Sequence, residues 1–331
     1  MSASPLSRDS RRFVYLASPL LALASLLASS AFAQDVLIRN ATVHTAGPQG
    51  TLQNADVLVQ GGVIRAVGSN LTAPASASVV QANGRRLTPA LFGGISEIGI
   101  DEVSGESATV DSAVKLSNDQ PMRPEFDVTL AYNPESVLVP IARVEGLGFT
   151  LLAANTGASF LAGQGGVVRL DGSADPIGPR VLFVKLGNDV LGLSGSSRAA
   201  QWMLLDQMVG EARGRIGADS PHALLTPTGR AVLARYLAGS GRIMVNVDRA
   251  ADIRQLLRWA QRERVRIAIS GGAEAWKLAP QLAQARVPVF VYALGNLPGD
   301  FDEIGATLEN AARLHAAGVE VSFAQPGNAS H

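Results

Sequence analysis

The 331-residue chain has no cysteine. That excludes a disulfide, a thiolate nucleophile and any zinc or iron–sulfur site held by Cys. Histidine is scarce as well: the four are His44, His222, His315 and His331, too few and too scattered for a His-rich metal centre. Charged residues make up only 17% of the chain, and 28 basic residues balance 28 acidic ones. A nucleic-acid binder needs a basic surplus for its phosphate contacts, so none is expected here. What the chain has is apolar mass, 47% of its residues, which allows a large buried core and excludes wholesale disorder. The length accommodates one large α/β barrel domain with a smaller companion.

Residues 1–33 read as an export signal. Arg8, Arg11 and Arg12 give a positive start, an apolar run follows from Phe13 to about Ser30, and Ala31-Phe32-Ala33 forms an A-x-A cleavage site. Cleavage after Ala33 places the mature chain in a bacterial periplasm or outside the cell. A membrane anchor is the competing reading of the same run, and Ser10-Arg11-Arg12 leaves the general and the twin-arginine routes both open. Removing these residues takes away three arginines and one aspartate, so the mature chain is slightly acidic. No later stretch is long and apolar enough to predict a stable membrane span.

From 34 to 87 the sequence reads as a small all-β unit, a β-sandwich segment. Val36–Asn40, Ala55–Gln60 and Val63–Gly68 are β-rich runs, and Gly61-Gly62 is a two-residue hairpin turn. Residues 88–331 read differently. Strands are expected at 149–153, 167–170, 181–185, 242–247, 265–269, 287–292 and 319–324. Helices are expected at 135–146, 198–215, from Thr228, and at 251–264, 273–285 and 301–317. Continuous apolar strands between amphipathic helices predict a parallel sheet covered by helices, and a count near eight predicts an α/β fold of the (β/α)8 TIM-like barrel type.

Three stretches carry a family resemblance. Asp35–Val43 looks like an opening strand, Asp56–Gly68 like a signature hairpin, and Leu87-Thr88-Pro89-Ala90-Leu91-Phe92 like the link into barrel strand one. Asp252-Ile253, Gly271–Trp276 and Leu314–Phe323 add to them. Together these resemble the metal-dependent amidohydrolase superfamily, especially its imidazolonepropionase-like members. The resemblance implies one or two divalent metals at the C-terminal mouth of the barrel, activating water against an amide or related C–N bond. It also implies the ligands: a His-x-His pair ending strand one, Lys or Glu on strand four, His on strands five and six, and Asp on strand eight.

Carried onto this sequence, those positions are mostly vacated. The His-x-His pair falls on Ile95 and Glu97, the strand-five His on Asn246, the strand-six His near Gly271 or Gly272, and the strand-eight Asp around Gln325-Pro326. Only Lys185 matches a family ligand. Glu97, Asp101, Glu102 and Glu106 offer carboxylates that suit Mg²⁺, Ca²⁺ or Mn²⁺, although a solvated acidic loop is the preferred reading. The resemblance also implies a last helix and further strands beyond strand eight, so both barrel and β unit are expected to be incomplete at the C-terminus and the chain to be a fragment.

Other chemistries are weaker. Gly192-Leu193-Ser194-Gly195 stops one residue short of a nucleophile elbow. Gly163-Gln164-Gly165-Gly166 precedes a strand and not a helix, so a tight turn between strands is expected instead of a phosphate loop. The basic run Arg254, Arg258, Arg262, Arg264 and Arg266 follows helical spacing and reads as a solvated outer face.

Three functions follow: a secreted pseudoenzyme that binds or scaffolds at a degenerate metal site; a C–N hydrolase using a non-standard site with catalytic candidates Glu97, Asp101 and Lys185; and a non-catalytic subunit paired with an active homologous amidohydrolase. The first is preferred. It expects no cofactor, with Zn or Mn needed only for the hydrolase. The expected ligand pocket is Ile95, Glu97, Asn246, Gly272 and Gln325, neutral to weakly acidic and suited to a small polar or apolar molecule over a phosphate. The expected partners are thus a small-molecule ligand and, as a homo- or hetero-oligomer, a related amidohydrolase.

Overall fold

A computed structural model of the protein describes residues 35–103, 105–115, 122–295 and 297–324. The export signal, Gln325 and Pro326, and His331 lie outside them. The chain divides into two compact units, with the division at Pro89–Ala90.

In the first unit β1 (Val36–His44) is the central strand. It pairs antiparallel with β2 (Thr51–Gln60), which pairs antiparallel with β3 (Val63–Gly68). The Gly61-Gly62 turn between them has φ of +58° and +76°, a left-handed pair that glycine adopts without a Cβ clash. The other edge of β1 takes β4 (Ser78–Gln81) and then β5 (Arg86–Leu87), both parallel. Ala41, Val43, Ala55 and Val57 are buried together on one face. Among the described residues the unit is one five-stranded sheet; a second facing layer, which a sandwich requires, is not among them.

The second unit is built on eight strands: β6 (Leu91–Ser96), β7 (Leu147–Leu152), β8 (Leu161–Arg169), β9 (Ile177–Lys185), β10 (Arg242–Val247), β11 (Ile267–Gly271), β12 (Val289–Tyr292) and β13 (Val321–Ala324). They lie side by side in sequence order. The end strands β13 and β6 approach each other, so the sheet is barrel-shaped and nearly closed. The helices are α1 (Leu138–Val144), α2 (Arg198–Ala212), α3 (Pro227–Leu237), α4 (Ala250–Glu263), α5 (Ala279–Ala285) and α6 (Asn310–Ala316). Thr226 caps α3, its Oγ1 accepting the Gly229 N–H at 2.9 Å, and Pro227 occupies the first turn where its missing N–H costs nothing.

Three expectations are corrected. The sheet is mixed: β8 runs antiparallel to both β7 and β9, while the other neighbours are parallel. The links 153–160 and 170–176 are shorter than the dozen or so residues a parallel crossover needs, so the chain can only turn back on itself there. The glycine run 163–166 is inside β8 and is not a turn. A Cβ on Gly165 would stand 1.9 Å from Leu152 O and 2.8 Å from the Phe183 ring, so β8 takes glycine because its neighbours press on it. Finally, only Asn310–Ala316 of the expected 301–317 helix is helical. Asp300 and Asp302 turn the preceding residues into a loop, Asp300 Oδ1 accepting the Asp302 N–H at 2.7 Å, the local hydrogen bonding by which Asp competes with helix.

Period-two alternation decides what the strands carry inside and outside. Leu182, Val184, Ile243, Val245, Val247, Ile267 and Ile269 face the helices and belong to the large outer core. The residues between them, Phe183, Met244 and Ala268, pack inside the sheet with Leu151 and Ala162. Two residues on from each inner residue, the inward position turns polar: Lys185, Asn246 and Ser270. Register puts these three at one level, Lys185 beside Asn246 and Asn246 beside Ser270. The inner core thus ends, and a polar floor begins, at the C-terminal ends of the parallel strands.

Candidate functional site

Above that floor is a cavity of about 330 Å³. Its wall includes Ile95 and Glu97 at the end of β6, Asn155 after β7, Lys185, Asn246, and Tyr292 at the end of β12. Thr156, Asp189, Asp248, Ser270 and Glu303 complete its polar lining. Loops that follow strands converge at this end of such a barrel, which makes it the natural place for a site.

Glu97 is buried, and its Oε1 accepts a hydrogen bond from Asn155 Nδ2 at 2.8 Å. Burial raises its pKa above the ordinary carboxylate value, the Asn155 hydrogen bond opposes that, and the Asp101 charge adds to it. Asp248, on the same cavity, is raised to about 6. Its cause is again burial, opposed by the Ala273 N–H, which donates to Oδ1 at 3.0 Å, and reinforced by Glu303. Asn246 Nδ2 donates to Ser270 O at 3.1 Å and to the Tyr292 hydroxyl at 3.3 Å. Burial raises the Tyr292 phenol as well, so it keeps its proton. Lys185 Nζ is 2.6 Å from Asp189 Oδ2. Chemically, the cavity presents Asp248, a carboxylate that accepts hydrogen bonds near neutrality and donates one in mild acid, beside an amide and a phenol with fixed positions.

Of the residues singled out from sequence, Ile95, Glu97, Lys185 and Asn246 line this cavity. Gly272 does not; its N–H binds Val247 O at 3.1 Å in the loop after β11. Asp101 is committed elsewhere, accepting the Asp111 and Ser112 N–H groups at 2.8 and 3.0 Å and the Ser112 hydroxyl at 2.7 Å. Gln325 and Pro326 lie outside the described residues. Sequence reasoning missed Asp248, Tyr292, Asn155 and Glu303. A signal existed for the first two: each sits at the end of a strand, Asp248 two residues beyond Asn246 and Tyr292 two beyond the inward Phe290.

A divalent metal is implied by the resemblance, and the donor set does not suit one. Among the described residues no three His, Asp or Glu side chains converge closely enough to hold an ion. Asp189, on the same wall, is paired with Lys185, whose ammonium opposes a cation there. At the strand-six position, Gly271 has no side chain and no room for one: its Cβ would stand 2.6 Å from Asp248 Oδ1.

No protein-family model matches the chain, and no curated protein sequence does. Solved structures do. The chain superimposes on an amidohydrolase from Thermotoga maritima MSB8 with a TM-score of 0.73 and 23% identity, over 87% of this chain and 78% of that one. It also overlaps N-isopropylammelide isopropylaminohydrolase from Burkholderia multivorans ATCC 17616, with a TM-score of 0.42 and 14% identity, over 89% of this chain and 75% of that one. The chain therefore has the fold of an amidohydrolase structure. A fold is not a reaction, and the chemistry has to be read from the site.

Proposed function

We propose that the chain is an amidohydrolase-like protein whose barrel mouth binds a small polar molecule bearing amine or amide N–H groups and does not hydrolyse it. One observation carries the reading: at the mouth, where the fold's relatives are expected to hold metal, Glu97, Asn246, Asp248 and Tyr292 converge on a cavity whose carboxylates are nowhere grouped in threes closely enough, among the described residues, to hold an ion. Several carboxylates against one lysine favour N–H donors over phosphate. The volume suits a small solute.

The test is calorimetric titration with small amines and amides, run beside hydrolysis assays on cyclic and acyclic amides with Zn or Mn added. Saturable binding that disappears in Asp248→Ala, with no turnover under any metal, is the expected result. Stoichiometric bound metal with turnover lost in Glu97→Gln would replace this reading by the metal-dependent C–N hydrolase. We also propose export, with cleavage after Ala33: the protein recovered from outside the cytoplasm should begin at Gln34 by N-terminal sequencing. Co-purification of a related amidohydrolase would replace the binding reading by the third one, a non-catalytic subunit paired with an active homologue.

A further inference from the structure

A second and larger cavity, about 790 Å³, opens at the other ends of the strands, near the starts of β10, β11 and β12, and is lined from both α4 and α5. Its floor is apolar: Leu257, Ala260, Val265, Ile267, Leu278 and Val287. Its rim is arginine: Arg242, Arg254, Arg258, Arg266 and Arg286, with no Asp or Glu among the lining residues. Arg242 donates to Ile267 O at 3.2 Å and Arg266 donates to Gly239 O. The side chains of Arg254, Arg258 and Arg286 have no hydrogen bond or ion pair among the described residues.

That arrangement is costly to the protein alone. Arg254 and Arg258 are four residues apart on one helix, a like-charge spacing that destabilises a helix. Elsewhere on the same helix the chain does supply partners, since Arg262 pairs with Asp206 and Glu263. The contrast is between an arginine that is neutralised and three around one apolar groove that are not. Guanidinium forks match carboxylate and phosphate oxygens two at a time, and the groove's volume lies within the range of small-molecule sites. We propose that this groove binds a free small amphipathic anion, with its carboxylate or phosphate held by Arg254, Arg258 and Arg286 and its apolar body on Leu257, the part-exposed leucine of the floor. This site is separate from the barrel mouth and independent of what the mouth binds.

The experiment is calorimetric titration of the whole protein with decanoate and with decyl phosphate, each below its critical micelle concentration. Decanol and inorganic phosphate test the two halves of the ligand separately. We expect saturable one-to-one binding of at least one amphipathic anion, weakened by salt, with decanol and inorganic phosphate binding far more weakly. The double variant Arg258→Glu/Arg286→Glu should weaken binding by roughly tenfold or more, about the worth of a lost charged hydrogen bond, and Arg143→Glu on α1 should not. Arg258→Gln/Arg286→Gln gives the same readout with less disturbance should the charge reversal fold poorly. Failure of both anions to bind, equal binding of decanol, unchanged affinity in both double variants, or retention on phosphatidylglycerol vesicles without uptake of the free amphiphile would each overturn the proposal.

Discussion

Gly271 yields its side-chain space to Asp248. With φ at +85°, a Cβ there would lie 2.6 Å from Asp248 Oδ1 and 3.2 Å from Asn246 Nδ2. The carboxylate and the amide of the mouth are where they are because the next strand ends in glycine. Gly271→Ala meets both a left-handed backbone and a steric conflict, and should cost about 1–3 kcal/mol. Urea unfolding reads that cost, and titration at the mouth should show weakened binding because Asp248 must move. A substitution that leaves both unchanged would mean that the loop after β11 yields freely.

Asp248 sets a pH dependence. Its folded pKa, about 6, lies above the ordinary value of 3.8. A carboxyl raised on folding binds its proton more tightly in the native state. Its contribution to stability is therefore fullest below the ordinary value and is lost as pH rises through about 6. Asp248→Asn keeps an acceptor for the Ala273 N–H and removes the buried charge. The variant should gain ~1–2 kcal/mol at neutral pH after allowance for solvent screening, and none in acid. Melting temperatures of both proteins across this range check it: the curves should converge in acid and separate as pH rises through about 6.

Much of this barrel was legible because burial on both faces of a parallel sheet leaves long apolar runs, as in Ile243–Val247 and Ile267–Ile269. The strand-end polar residues Glu97, Lys185 and Asn246 were legible too, since the ends of such strands are where side chains meet a mouth. β8 was not legible. Glycine is depleted from strands in general, so Gly163–Gly166 reads as a turn unless the pressure of Leu152 and Phe183 on Gly165 is known. Asp248 was missed for a related reason: between a strand and a helix, a lone aspartate reads as a linker unless the strand's alternation is carried two residues past Asn246, and the position of Gly271 shows that it faces inward.

Glu211 is a structural carboxylate. On α2 and almost wholly buried, it accepts the N–H groups of Leu224 and Leu225 at 2.8 and 3.0 Å and faces Arg230 at 3.1 Å. It ties the segment before α3 to α2. Glu211→Ala leaves two N–H groups without their acceptor and takes the counter-charge from Arg230, whose guanidinium keeps the Ile216 and Gly217 carbonyls, and should cost about 3–5 kcal/mol. Glu211→Gln keeps an acceptor and should cost less. Chemical denaturation of the pair separates the charge from the hydrogen bonds.

Asp302 anchors the loop that the sequence led one to expect as helix. Its Oδ2 accepts the Asn188 N–H at 2.7 Å, and Arg198 donates to its other oxygen. Gly187, at φ +108°, has no room for a Cβ beside that carboxylate. These contacts join the loop bearing Glu303, which lines the mouth, to the short helical turn after β9. Loss of Asp302 should therefore act locally: Arg198 retains Asp252 at 3.5 Å, and the outer core of β10 and β11 is untouched. In Asp302→Ala, hydrogen exchange should accelerate in 186–193 and 297–309 with little change in 242–271, and ligand at the mouth should dissociate faster. Acceleration spread evenly over the barrel would instead make Asp302 a support of global stability, and the loop would no longer be a separable rim.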